Sequence, residues 1–117
     1  MSTIFGKEVR VFLKGQAKEA FLELKKKQDK QSKMLVRAIE RIIGILKDNP
    51  QFGNPIKKEL IPKKMSDYGI KNLYIVELPS FWRMVYTIEG TQIEILVFIL
   101  TIQDHKEYNK LFGYKAR

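Results

Sequence analysis

The 117-residue chain contains no cysteine. That removes disulfides, thiolate metal sites and a thiol nucleophile together. Histidine occurs once, at His105, whereas a zinc site wants several nitrogen or sulfur ligands. No apolar run reaches the ~18 residues that a membrane span needs. Residues 1–8 lack the pattern of a secretory leader. The chain shows no internal repeat and no low-complexity segment. These absences lead to an expectation of a soluble cytoplasmic protein, off the membrane, with no metal or other cofactor. Length alone predicts a single domain spanning residues 1–117, large enough to bury a core without staples.

Acidic side chains are also scarce, 13 against 22 basic, for a net charge of +9. The excess is one-sided. Residues 1–71 hold 17 basic and 8 acidic groups, and residues 72–117 hold 5 of each. Lys57, Lys58, Lys63, Lys64 and Lys71 crowd into 15 residues. Such a surface suits a polyanion or an acidic protein partner; the plainer reading is a solvated lysine-rich face.

What is abundant is β-branched and aromatic sequence between residues 73 and 102, as in strands. Glu89-Gly90 separates two such runs and predicts a two-residue turn. That turn would set Ile88 opposite Thr91, Tyr86 opposite Ile93, Met84 opposite Ile95 and Arg83 opposite Leu96. Met84, Tyr86, Ile93, Ile95, Val97 and Ile99 would then share one apolar face, and Arg83 would lie on the other. The run after Glu94 is apolar at nearly every position, which predicts a central strand covered on both faces.

Ahead of this hairpin, residues 9–13 are short, apolar and β-prone. Ala17, Ala20, Phe21 and Leu24 then recur with the period of an amphipathic helix. Leu35, Ala38, Ile39, Ile42, Ile43 and Leu46 form a second stripe, with Ser32 as its expected N-cap and Asp48-Asn49-Pro50 as its stop. A short polar connection predicts that the two helices fold back as a hairpin. Residues 50–72 have no steady period and carry most of the clustered lysines; they are expected to form a functional loop, a rim rather than a core element. Residues 73–78 form the next expected strand, followed by a turn at Pro79-Ser80. Asp104 with Glu107 three residues on has the spacing of a capping box, and Gly113 ends a short last helix. The order β-α-α-β-β-β with a short C-terminal helix predicts an α+β domain, an antiparallel sheet packed against a helical hairpin.

In this order the chain resembles the RelE/ParE superfamily of toxins from toxin–antitoxin pairs. Three patterns carry the resemblance over nearly its whole length: Asn49-Pro50 at a helix end before a Gly/Pro/Lys loop, the strand Trp82-Arg83-Met84-Val85-Tyr86, and the closing segment Ile102-Gln103-Asp104-His105-Lys106-Glu107-Tyr108. The resemblance implies a RelE-like endoribonuclease that cleaves mRNA, on the ribosome or free, inhibits translation and is neutralised by a cognate antitoxin, expected to be acidic. Other members act on a protein target or are inactive. A basic nucleic-acid-binding module is a further alternative. Some members carry two lysines where Ile75 and Glu77 stand here, and a second arginine near the closing segment, where this chain has none before Arg117.

The chemistry fits the residues. RNA is cut through its own 2′-hydroxyl when a base removes the proton, a cation steadies the phosphorus-centred charge and an acid protonates the leaving oxygen. Arg83 suits the cation role because its fork meets phosphate bidentately. His105 is a candidate base or acid, since histidine ordinarily titrates near neutrality. Tyr108, three residues further on, is a candidate phosphate or base contact. Lys57, Lys58, Lys63, Lys64 and Lys71 are candidate RNA-backbone contacts. Against these stand structural uses: Arg83 as a cross-strand partner of Glu94, His105 as an exposed first-turn residue, and Tyr108 as core edge. Glu59 and Glu77 are possible carboxylate bases, each also readable as a surface charge. Trp82, Met84 and Tyr86 read as packing.

Overall fold

A computed structural model describes residues 3–4 and 6–114. The rest of the leading octapeptide (residues 1, 2 and 5) and the tail with Arg117 lie outside the described residues. The chain is an α+β fold in the order β1 (Thr3–Ile4), β2 (Lys7–Leu13), α1 (Gly15–Lys26), α2 (Lys30–Asp48), β3 (Asn54–Pro55), α3 (Lys63–Ser66), β4 (Tyr74–Glu77), β5 (Trp82–Gly90), β6 (Glu94–Asp104) and α4 (His105–Phe112). No helix among the described residues is long and apolar enough to cross a membrane.

The strands form one sheet in the order β1-β2-β6-β5-β4-β3. The sheet is mixed, which corrects the expectation of an antiparallel one: β2 runs parallel to β6, Val9 beside Ile95 and Phe12 beside Phe98. Short turns force neighbouring strands to run antiparallel. β2 instead reaches β6 through the whole intervening chain, and so is free to run either way. Where β2 ends, Gln16 of α1 takes over the ladder. Its side-chain amide donates to the Ile102 carbonyl at 3.0 Å and accepts from the Ile102 N–H at 2.9 Å.

The α1–α2 hairpin covers one face. Ala17 and Leu24 of α1 and Leu35, Ala38, Ile39, Ile42 and Leu46 of α2 are buried against Val9, Val76, Met84, Tyr86, Val97, Ile99 and Ile102. The N-cap of α2 lies three residues before the expected Ser32. It is Asp29, accepting from the Ser32 N–H at 3.0 Å and the Ser32 hydroxyl at 2.8 Å. These two bonds hold the Asp29 carboxyl below its usual range. Ser32 is itself buried, so it serves as partner to the cap.

The β5–β6 hairpin does not turn at Glu89-Gly90. β5 continues through Gly90, and the chain reverses between Thr91 and Glu94. There the Thr91 N–H donates to the Glu94 carbonyl and the Glu94 N–H to Thr91 Oγ1, both at 2.8 Å. Tyr86 consequently lies opposite Ile99 rather than Ile93. Burial decides between the registers: Ile99 is fully covered, whereas Ile93, which the shorter hairpin would place opposite Tyr86, is 73% exposed. The slide from Ile93 to Ile99 is an even number of residues, so every side chain up to Ile99 keeps its expected face.

Residues 50–72 are not an open rim. Met65 is buried, and Ile56, Ile61 and Ile70 pack with it against Leu73, Val85 and Tyr108 on the sheet's second face. The isoleucines lack helical or strand period because β3, a 3-10 turn at Lys58–Leu60 and α3 each last only two to four residues. The segment is pinned to the first core as well. The buried Tyr86 hydroxyl donates to the Pro50 carbonyl at 2.7 Å and accepts from the Gly53 N–H at 2.9 Å. A Cβ at Gly53 would lie 3.0 Å from both Tyr86 Oη and the Ile75 carbonyl, so any side chain there would crowd this approach.

Burial pushes the Tyr86 phenol up to about 12. Its neutral form therefore stabilises the fold fully below pH ~10, where a free tyrosine begins to ionise, and that contribution is lost as pH rises toward 12. Tyr86→Phe strands a buried acceptor and a buried donor. It should lower unfolding stability by about 1–3 kcal/mol in urea titrations at neutral pH, and should remove part of the stability loss that the parent shows above pH 10.

Candidate functional site

The geometry of the site begins at a bulge. Tyr86 pairs with Ile99 but Val85 pairs with Thr101, leaving Leu100 as an extra residue on β6. An extra residue rephases everything after it. Ile99 and Ile102, three apart, can therefore both face the helices, and both are fully buried. On the second face the bulge sets Thr101 beside Val85 and Gln103 beside Arg83. Arg83 opposes Glu77 on its other side. The end of the second face is thus a polar row across three strands, Glu77–Arg83–Gln103. The row behind it, Ile75–Val85–Thr101, runs into the second core.

Arg83 does not pair with Glu94, which the expected register places within reach. Glu94 lies at the far end of β6, where it bonds Arg10 at 3.3 Å. Arg83 instead lies over the Tyr108 ring, its guanidinium carbon 4.7 Å from the ring centroid. Among the described residues it has no carboxylate within ion-pair distance. A half-buried cation resting on an aromatic face, its donors unclaimed by an anion, is ready for an incoming one.

α4 supplies the ring. Asp104 caps it as expected, accepting from the Glu107 N–H at 2.9 Å, and Gly113 closes it in the left-handed conformation. Tyr108 is only 5% exposed and packs against Phe112 and Tyr114 at ring centroid distances of 4.6 and 6.1 Å. A ring so covered has no face free for a nucleobase, which corrects the stacking role expected of it. Burial pushes its phenol up to about 12, with Tyr114 raising it further and Arg83 lowering it. Tyr108 is therefore a neutral phenol at physiological pH, and its contribution is to support Arg83.

His105 is exposed and begins α4 directly after Asp104, which opposes Trp82. It lies edge-on to Phe81, with ring centroids 6.0 Å apart. Phe81 in turn lines a cleft of about 360 Å³ with Glu77, Leu78, Ser80, Trp82 and Arg83. The structure therefore brings Arg83 together with Tyr108, and His105 to the same end of the sheet through Phe81. Thr101 Oγ1 and Gln103 Oε1, both buried on the Arg83 face, have no hydrogen-bond partner among the described residues.

The five lysines are all exposed, on the segment that covers the same face of the sheet as Arg83. None of them lines the Arg83 cleft. Lys58 and Lys71 border a separate groove of about 520 Å³ floored by Ile61 and Ile70, and Lys63 lies 4.0 Å from Asp67. Glu59 borders that groove, not the Arg83 cleft. Trp82, Met84 and Tyr86 pack in the first core, as expected. No group of three or more His, Asp or Glu side chains able to hold a metal occurs among the described residues.

Two features of the site carry no clear signal in residue order. One is Gln103, whose alignment with Arg83 depends on the bulge. The other is Phe81, 76% exposed and held at φ +63° directly after Ser80 at φ +60°. Two successive non-glycine residues in the left-handed region store strain of about 1–3 kcal/mol each. Pro79-Ser80 signals a turn, but nothing in Ser-Phe signals that conformation.

No protein-family model, curated protein or solved structure matches this chain.

The support role of Tyr108 separates two substitutions. Tyr108→Phe keeps the ring under Arg83 and should leave anion binding at the cleft within a few-fold of the parent. Tyr108→Ala empties part of the second core and should cost about 3–5 kcal/mol of stability. Tyr108→Leu, which refills much of the volume without a π face, should fold and bind a phosphate-bearing oligonucleotide more weakly than Tyr108→Phe, measured by fluorescence anisotropy.

Proposed function

We propose that this chain is a RelE-like toxin of the RelE/ParE superfamily, an endoribonuclease that cuts mRNA through its 2′-hydroxyl and so inhibits translation. The observation that carries the reading is Arg83: a guanidinium seated on Tyr108, unclaimed by any described carboxylate, at the mouth of a cleft beside the segment that leads into His105. A phosphodiester placed there meets Arg83 through two non-bridging oxygens. A base takes the 2′-hydroxyl proton, the oxygen attacks phosphorus, and the P–O5′ bond breaks. The products are a 2′,3′-cyclic phosphate and a 5′-hydroxyl, the latter formed when an acid returns a proton to the leaving oxygen. Glu77 lines the cleft beside Arg83 and suits the base, while His105 at the edge suits the acid. All three tasks fall to side chains, so the reaction as drawn calls on no metal. The substrate would be mRNA, on the ribosome or free. An acidic cognate antitoxin would match the +9 surface.

Arg83→Ala should slow cleavage of a labelled RNA about a hundredfold, on the order of 3 kcal/mol in the barrier. Stability should fall little, because the cation–ring contact is worth roughly 0.5–2 kcal/mol. Unchanged cleavage with a marked drop in melting temperature would assign Arg83 to the fold.

The lysine segment contributes differently. Replacing Lys57, Lys58, Lys63 and Lys64 with Ala should flatten the dependence of RNA affinity on salt. On single-stranded RNA the log–log slope should shrink by roughly 0.7 for each phosphate that is no longer neutralised. The fold should persist, since all four side chains are exposed. A salt slope equal to the parent's would remove these lysines from the RNA path.

A further inference from the structure

The Pro79–Phe81 turn has no evident use in the reaction just described, yet among the described residues it alone holds non-glycine residues at positive φ. Its product is one large apolar ring held out in solvent. Phe81 is 76% exposed, lines the Arg83 cleft, and touches His105 with a ring edge, the two planes at 69°. A phenylalanine in the left-handed region loses on both counts, backbone strain and apolar exposure, unless something covers the ring. The folded core gains nothing from it: Phe81 belongs to neither buried cluster.

We propose that Phe81 is the stacking platform for a nucleobase of the RNA strand whose phosphate lies at Arg83. The inference rests on the endoribonuclease reading and adds a residue that selects and positions substrate. At 76% exposure, with the T-shaped contact to His105, Phe81 keeps a ring face open. The neighbouring unpaired guanidinium favours a ligand that presents an anion next to a flat apolar group. A nucleotide has that construction; an acidic peptide places its charges on flexible side chains with no flat ring fixed beside them. The cleft, about 360 Å³, lies at the small end of the roughly 300–1,000 Å³ of ligand sites, which fits one nucleotide rather than a duplex. The strain has a use in this arrangement. The bond from the Leu78 N–H to the Trp82 carbonyl at 2.8 Å closes the turn and fixes the direction in which the Phe81 side chain leaves the backbone. Stacking of this kind tolerates every base and sets register along the strand more than sequence.

The test uses the full chain and short 2′-O-methyl RNA oligomers, which cannot be cleaved, each with one 2-aminopurine at a successive position. The parent should bind them and quench 2-aminopurine strongly at one position only. Phe81→Gly should abolish that quenching and weaken binding about tenfold or more. The slope of affinity against salt should stay as in the parent, because the phosphate contacts remain. Its melting temperature should be unchanged or higher, since glycine adopts φ +63° without strain. Phe81→Tyr and Phe81→Trp should keep the quenching, and Phe81→Leu should lose it. Binding and quenching by Phe81→Gly equal to the parent's would overturn this inference and leave the endoribonuclease reading standing. Parent binding without position-specific quenching would do the same. A parent that binds no RNA would overturn both.

Discussion

The pairing of β5 with β6, bulge included, is the constraint on which the rest depends. It aligns Tyr86 with Ile99 and Met84 with Ile102, and all four are fully buried under the helical hairpin. A strict two-residue alternation could not put Ile99 and Ile102 on one face. The extra Leu100 resolves this, and the rephasing also moves Gln103 next to Arg83. The same local irregularity therefore completes the first core and assembles the polar row of the candidate site. A change that removed the bulge would turn Ile102 out of the core or Gln103 away from Arg83.

Two cores back the sheet, and they serve different ends. The first is a broad contact of β2, β4, β5 and β6 with two long helices, and it holds the fold. The second is smaller and assembled from pieces too short to stand alone: α3, the segment around Ile56 and Ile61, and α4. Its outer margin is Tyr108, where apolar packing gives way to Arg83. The cation is thus placed at a boundary. It is covered enough to hold one orientation and open enough to keep its donors available. Tyr86 ties the two cores together, because its ring lies in the first while its hydroxyl holds the segment that builds the second.

The strained turn and the cation of the candidate site lie at the same end of the sheet. The left-handed pair Ser80-Phe81, the unpaired Arg83, the exposed His105 and the orphaned Gln103 oxygen lie within one turn and the adjoining strand ends. Elsewhere some exposed charges are partnered over short distances, as in Glu23–Lys26, Glu107–Lys110 and Arg10–Glu94. Polar groups without internal partners are costly in a fold, and here they gather at one end of the sheet, beside the cleft that Arg83 lines.

Much of the architecture is legible in residue order. The two apolar helical stripes, the strand content of residues 73–102, the central position of β6 and the Asp104 cap follow from periodicity and local hydrogen bonding, which depend on neighbours a few positions away. Arg83 and His105 are named together by the family resemblance and by their chemistry, not by the expected register, which set Arg83 opposite Leu96; the longer hairpin sets it opposite Gln103, two residues from His105. Other features belong to the tertiary structure. Glu89-Gly90 offers a good local turn, but burying Ile99 and Ile102 outweighs it. The isoleucines of residues 50–72 have no period of their own, because the surface they fit is made by β4, β5 and α4. β2 can run parallel to β6 because the whole intervening chain joins them, free of hairpin geometry. Phe81 carries no local signal at all: its left-handed backbone is imposed by the closure between Leu78 and Trp82, and only that closure turns an ordinary phenylalanine toward the cleft.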